Sequence, residues 1–115
     1  MQTMSKQAVI PVDTMQCQRR ASSPVHSVWV SANAGSGKTE VLVQRVIRLL
    51  LDGARPSAIL CLTFTKAAAA EMTNRVFKRL AEWISASDHE LVREIEKITG
   101  QQPAAATLHH ARRLF

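Results

Sequence analysis

Three features of the sequence predict an α/β fold: a βαβ unit of the phosphate-loop kind carrying an incomplete parallel sheet. Two runs, "SVWV" (27–30) and "AILCLTFT" (58–65), are continuously apolar and rich in β-branched residues, as strands covered on both faces are. A glycine-rich turn, residues 34–37, interrupts the chain after the first run. Each run then gives way to apolar residues at helical spacing, so strand, turn, helix, strand and helix follow in the order of a right-handed crossover.

The elements can be justified in turn. Residues 1–17 mix polar residues with Pro11 and show no periodicity, so they read as a mobile arm ahead of one domain, 18–115. "ASSP" (21–24) is a turn signal before the first strand. A helix is expected over about 38–52, with Leu42, Val46, Leu49 and Leu50 on one face and Gln44, Arg45 and Arg48 as polar exceptions. Gly53 stops it as a C-terminal cap, and Pro56 prevents its continuation. After the second strand comes a long helix, about 66–86. Its core stripe is Ala69, Met72, Val76, Leu80 and Trp83, and its solvent stripe is Glu71, Arg75, Lys78 and Glu82, with Arg79 on the solvated face too. "SDHE" (87–90) is a capping box that opens a third helix ending near Gly100. A last helix begins near Thr107, and the chain stops inside "ARRLF" with no cap, an ending that looks cut.

The 115 residues allow one domain at most, with a modest core. Hydrophobic residues make up 46% and charged residues 21%, which argues against wholesale disorder. A net charge of +6 suits an anionic partner such as nucleic acid or nucleotide, though weakly. Cys17 and Cys61 form no CxxC pair, and the histidines lack metal-binding spacing, so neither a zinc site nor a disulfide framework is suggested. The longest apolar stretch, "VIRLLL", is broken by Arg48, and the N-terminus has too short an apolar run for a signal peptide. No membrane segment and a reducing, cytoplasmic location are therefore expected.

The chemistry concentrates in "SANAGSGKT" (31–39). Binding a polyphosphate takes several backbone N–H groups converging on it, which requires residues whose side chains do not intrude. Gly35, Ser36 and Gly37 supply that turn, and the following helix adds its unsatisfied N–H groups and positive dipole end. Lys38 brings a full charge to the β- and γ-phosphate oxygens, and the Thr39 hydroxyl is placed for Mg²⁺. Ala32 stands where the commonest pattern has glycine; a methyl group is tolerated there if φ stays negative. Ala32, Asn33 and Ala34 complete the loop.

This loop, taken with "LTFTKAAAAEM" (62–72), resembles the first two motifs of the superfamily-one DNA helicases of the UvrD/Rep type, and within them the AddA subunits of bacterial helicase–nucleases. The resemblance runs from about residue 18 to 115, and alanine is common at the first loop position in that family. It implies a RecA-like ATP-binding domain, the N-terminal part of helicase domain 1A. It also implies that ATP and Mg²⁺ are held by Ala32, Asn33, Ala34, Gly35, Ser36, Gly37, Lys38 and Thr39. Lys38 and Thr39 then serve catalysis, Thr39 binds the metal, and Gln18 of "QRRA" reads the adenine edge. Thr63, Phe64 and Thr65 match the motif lying against single-stranded DNA. Phe64 could equally be core and Thr65 an N-cap, and Gln18 an ordinary surface residue. The implied partners are single- and double-stranded DNA and an AddB-like nuclease subunit.

Hydrolysis also needs a carboxylate pair at the end of a further strand and an arginine from a second domain. Neither Asp52-Gly53 nor Asp88-His89-Glu90 follows a buried apolar run, so the pair is missing. In the family fold, strands from later sequence lie between the two present here. The expectation is an N-terminal piece of an ATP-dependent helicase of double-strand break repair, inactive alone. The rivals are a noncatalytic phosphate-loop fragment and a small phosphate-loop kinase. A kinase would need a lid and a substrate site, and nothing after Gly100 offers either.

Overall fold

A computed structural model of the chain describes residues 12–33 and 37–115. Its elements are helices: α1 (Val12–Ser22), α2 (Lys38–Leu51), a 3-10 turn (Pro56–Ala58), α3 (Lys66–Ser85), α4 (Asp88–Thr99) and α5 (Ala105–Arg112). Residues 12–17, expected in the arm, form the first half of α1, while 1–11 lie outside the described residues.

The expected α/β fold is not what the structure holds: among the described residues there is no strand, and so no parallel sheet. Residues 27–30 and 59–62 are irregular, and the backbone at Ile59 is extended (φ −103°, ψ 120°). The physical reason lies in where backbone hydrogen bonds go. A helix satisfies its N–H and C=O groups within its own segment, whereas a strand does so only through a neighbour. Neither run has such a neighbour among the described residues, and their apolar side chains face outward: Trp29 is 92% exposed and Leu62 83%.

The helices fold because they bury one another. α2 contributes Val43, Ile47 and Leu50, α3 Met72, Leu80 and Trp83, α4 Leu91, Ile95 and Ile98, and α5 Ala111. The α2 stripe is rotated from the one read in the sequence. Leu42 is exposed, and the inward face follows 43, 47 and 50. On α3, Met72, Leu80 and Trp83 are buried as their spacing suggests, Val76 is half-buried, and Ala69 is exposed.

Helix ends explain the boundaries. α2 stops where Gly53 adopts φ 94°, with Ala54 N–H bonded to Leu49 O (3.0 Å) and Gly53 N–H to Leu50 O (3.1 Å), the reciprocal pair of a Schellman motif. At the start of α4, Ser87 Oγ accepts from Glu90 N–H (3.2 Å) while Ser87 N–H donates to Glu90 Oε2 (2.8 Å), so the capping box is complete. Those bonds hold the Glu90 carboxyl below its ordinary pKa. Arg112 of α5 closes the C-terminal end of α3. Its guanidinium donates to the carbonyls of Trp83 (3.0 Å), Ile84 (3.2 Å) and Ala86 (2.9 Å) and pairs with Asp88 (2.7 Å). A cation on the unsatisfied carbonyls of a helix terminus is favoured by both hydrogen bonding and the dipole.

Candidate phosphate-binding site

The site is built on the N-terminus of α2. Gly37 occupies the N-cap with φ 86° and ψ 16°, a left-handed conformation that any side chain would strain. Lys38 and Thr39 are the first residues of the helix, both exposed. No side chain caps this end, so its leading N–H groups are placed for an anion. The Lys38 ammonium turns back and donates to the carbonyl of Ala32 (2.5 Å), bringing the charge over the segment that precedes the helix. Ala34, Gly35 and Ser36, expected as the middle of the loop, lie outside the described residues.

Gln18 is brought to the same place from α1. Its Nε2 lies 3.5 Å from where a Cβ on Gly37 would stand. The amide and the glycine therefore meet although they are far apart in sequence. Glu40, in the first turn of α2, is drawn sideways. It accepts from Arg79 of α3 (2.9 Å), whose other nitrogen is 3.9 Å from Glu94 of α4. Arg79 is thus half-buried and cross-links three helices, where the sequence placed it on a solvated face. Arg75 does sit on an exposed face, paired with Glu71 (2.7 Å).

Two arginines that the sequence offered only as exceptions on α2 prove structural. Arg45 donates to the carbonyls of Ala21 (3.3 Å), Ser23 (2.5 Å) and His26 (2.7 Å). Arg48 donates to Arg19 O (3.0 Å) and to the hydroxyl of the fully buried Ser22 (3.2 Å). Burial pushes the Arg48 pKa below its ordinary value, with Asp52 opposing the shift. A signal existed in the sequence: guanidinium groups spaced along an otherwise apolar helix need acceptors.

The second group of expected residues lies apart from the first. Thr63 Oγ1 donates to Thr65 O (3.0 Å), and Thr65 Oγ1 accepts from Ala68 N–H (3.1 Å), so Thr65 is the N-cap of α3. Phe64 between them is fully exposed and belongs to no core cluster of the described residues. Thr63 also lines an apolar cleft of about 400 Å³ between α2 and α3, with Val46, Ile59, Met72 and Phe77. That cleft shares no lining residue with the α2 N-terminus.

The family model of the UvrD/REP helicase N-terminal domain matches residues 14–113. The chain belongs to that family. The match begins within α1 and ends just past α5, so it covers all five helices. Curated relatives agree, each named as the A subunit of an ATP-dependent helicase/nuclease. The Levilactobacillus brevis protein is 53% identical over 62 residues, covering 54% of this chain and 5% of its own length. That of Lactobacillus acidophilus is 46% identical over 67 residues, 58% of this chain and 6% of the relative. That of Leuconostoc mesenteroides is 36% identical over 92 residues, 80% of this chain and 8% of the relative. The chain thus spans less than a tenth of the length of these relatives. No solved structure matches it significantly. The resemblance to UvrD/Rep helicases and to the A subunits of helicase–nucleases is borne out. No helix among the described residues is long and apolar enough to cross a membrane.

Proposed function

We propose that this chain is the nucleotide-binding segment of a longer ATP-dependent DNA helicase, and that the N-terminus of α2 takes the phosphates of ATP. The observation that carries this reading is a left-handed glycine opening an uncapped helix, with Lys38 and Thr39 as its first residues and Gln18 alongside. The donor set fits a magnesium-bound triphosphate. It consists of helix N–H groups, a lysine ammonium over the loop, a threonine hydroxyl and a side-chain amide, with a glycine where a Cβ would crowd Gln18.

In this reading Gly35 and Gly37 keep the backbone open, and Ala32, Asn33, Ala34 and Ser36 complete the loop. Lys38 neutralises the terminal phosphates, Thr39 offers its hydroxyl to Mg²⁺, and Gln18 reads the adenine edge. Bound Mg²⁺ would supply charge neutralisation on the phosphate oxygens. Thr63, Phe64 and Thr65 face single-stranded DNA, where an exposed aromatic is free to stack a base. DNA and a nuclease partner, together with a cytoplasmic location, follow as parts of the same proposal, supported by the names of the relatives. Residues 18–115 are proposed as part of the ATP-binding domain.

The test is turnover. Lys38→Ala in the longer protein is expected to abolish ATP hydrolysis while leaving thermal stability nearly unchanged, because Lys38 is exposed. Normal hydrolysis by that variant would remove the basis for the reading. The 115-residue chain alone is expected to show no hydrolysis above buffer, with or without single-stranded DNA. A water-activating carboxylate and a second arginine have no candidate in it.

A further inference from the structure

Gln18 can act on a nucleotide only if α1 is held in place, and little apolar packing holds it. Of the residues of α1, only Ser22 is buried, and Val12 and Met15 point to solvent. A helix of 11 residues is marginal in water by itself. What fastens it is polar. Its last turn and the loop beyond present the carbonyls of Arg19, Ala21, Ser23 and His26, and all four accept from Arg45 or Arg48 of α2. Ser22 ties the set together, donating from Oγ to Arg19 O (3.1 Å) and accepting from Arg48 (3.2 Å).

We infer that Arg45 and Arg48 are positioning residues for base recognition, a clamp that sets Gln18 against the phosphate-binding end of α2. The proposal rests on the nucleotide reading above and deepens it. Lys38 and the two arginines belong to one continuous helix, the arginines about two to three turns beyond the lysine. The distance between the phosphate-facing cation and the base-facing amide is therefore set by a rigid element plus five hydrogen bonds. A guanidinium suits the task because its fork reaches several carbonyls at once, which an ammonium on a flexible stem does not do with the same geometry. Without the clamp the amide would sample many positions, and the entropy of ordering α1 would fall on each binding event. Phosphate binding would not share that loss, since its groups lie on α2 itself.

The experiment is a calorimetric titration of the chain with ATP, GTP and tripolyphosphate, each with magnesium. The unsubstituted chain is expected to favour ATP over GTP. In the Arg45→Gln, Arg48→Gln double variant, ATP affinity should fall roughly tenfold, the scale of one lost hydrogen bond. The adenine preference should vanish with it, while tripolyphosphate affinity stays the same. Gln18→Ala should reproduce that loss. Combined with the arginine pair it should add nothing further, because both changes act through one amide. Should the double variant unfold, Arg45→Lys replaces it, keeping the charge without the fork, and a smaller loss of the same kind is expected. Adenine preference retained in the folded variants overturns the clamp. So do ATP and tripolyphosphate affinities that fall in parallel, or losses from Gln18→Ala and the arginine pair that simply add. An unsubstituted chain that binds neither ATP nor tripolyphosphate overturns the nucleotide reading itself, an outcome distinct from failure of the clamp alone.

Discussion

The packed half of the molecule and its extended segments differ in what their apolar residues do. Trp83 is 1% exposed in a core shared by α2, α3, α4 and α5, and it organises the fold. Trp29 and Phe64 are about as hydrophobic and are almost wholly exposed, on segments that have no strand partner among the described residues. The lesson is that stability and proposed function occupy different ground here. The helices hold the chain together, and the irregular stretches and helix starts carry the groups that could meet ligands.

Substitutions at the two kinds of site should separate cleanly. Trp83→Ala is expected to have the largest effect, about 3–5 kcal/mol by the usual cost of emptying an aromatic core site, read by urea or thermal unfolding. Trp29→Ala in the same assay should stay within roughly 0.5 kcal/mol, as surface changes do. A Trp29 loss approaching that of Trp83 would erase the contrast.

Phe64→Ala sharpens it from the functional side. Oligonucleotide affinity in the longer protein should weaken by ~1–3 kcal/mol, the range for one base stack, with unfolding unchanged. Unchanged affinity together with earlier unfolding would mean that Phe64 only packs. Arg112→Ala should cost about 1–2 kcal/mol, because the carbonyls that end α3 lose their donor. If stability does not move, α5 is not what closes that helix.

The smallest effect is expected at the start of α4, where Ser87→Ala removes a cap at about 1 kcal/mol. The Glu90 side of the same box has a direction in pH. Its folded pKa is depressed by the Ser87 bonds. Its contribution is therefore present above the ordinary carboxylate pKa and fades as pH falls through the lower folded value. An acid titration of stability should show this loss in the unsubstituted chain and less of it in Glu90→Gln.

Much of the helical part was legible in the sequence because its signals are local. Ser87 and Glu90 cap each other, Gly53 turns left-handed, and Met72, Leu80 and Trp83 share a stripe on one helix. The strands were misread because a continuous apolar run tells what a segment would bury, not whether a neighbour exists to bury it. "SVWV" and "AILCLTFT" have the pattern of covered strands and are exposed for want of a partner among the described residues. α1 escaped notice since its hold on the fold is polar, running through Arg45 and Arg48 to backbone carbonyls that no side-chain pattern displays. At the site, "GSGKT" marked the start of α2 at once. The approach of Gln18 to Gly37 depends on that polar docking and could not be read from either motif alone.

The most direct test is a titration of the chain with magnesium-ATP, comparing the unsubstituted sequence with Lys38→Ala alongside their thermal unfolding. ATP binding is expected to be lost in Lys38→Ala while the two unfolding curves coincide, since the lysine is exposed and takes no part in the core. Equal ATP affinity in the two folded chains would contradict the assignment of the α2 N-terminus as the phosphate site.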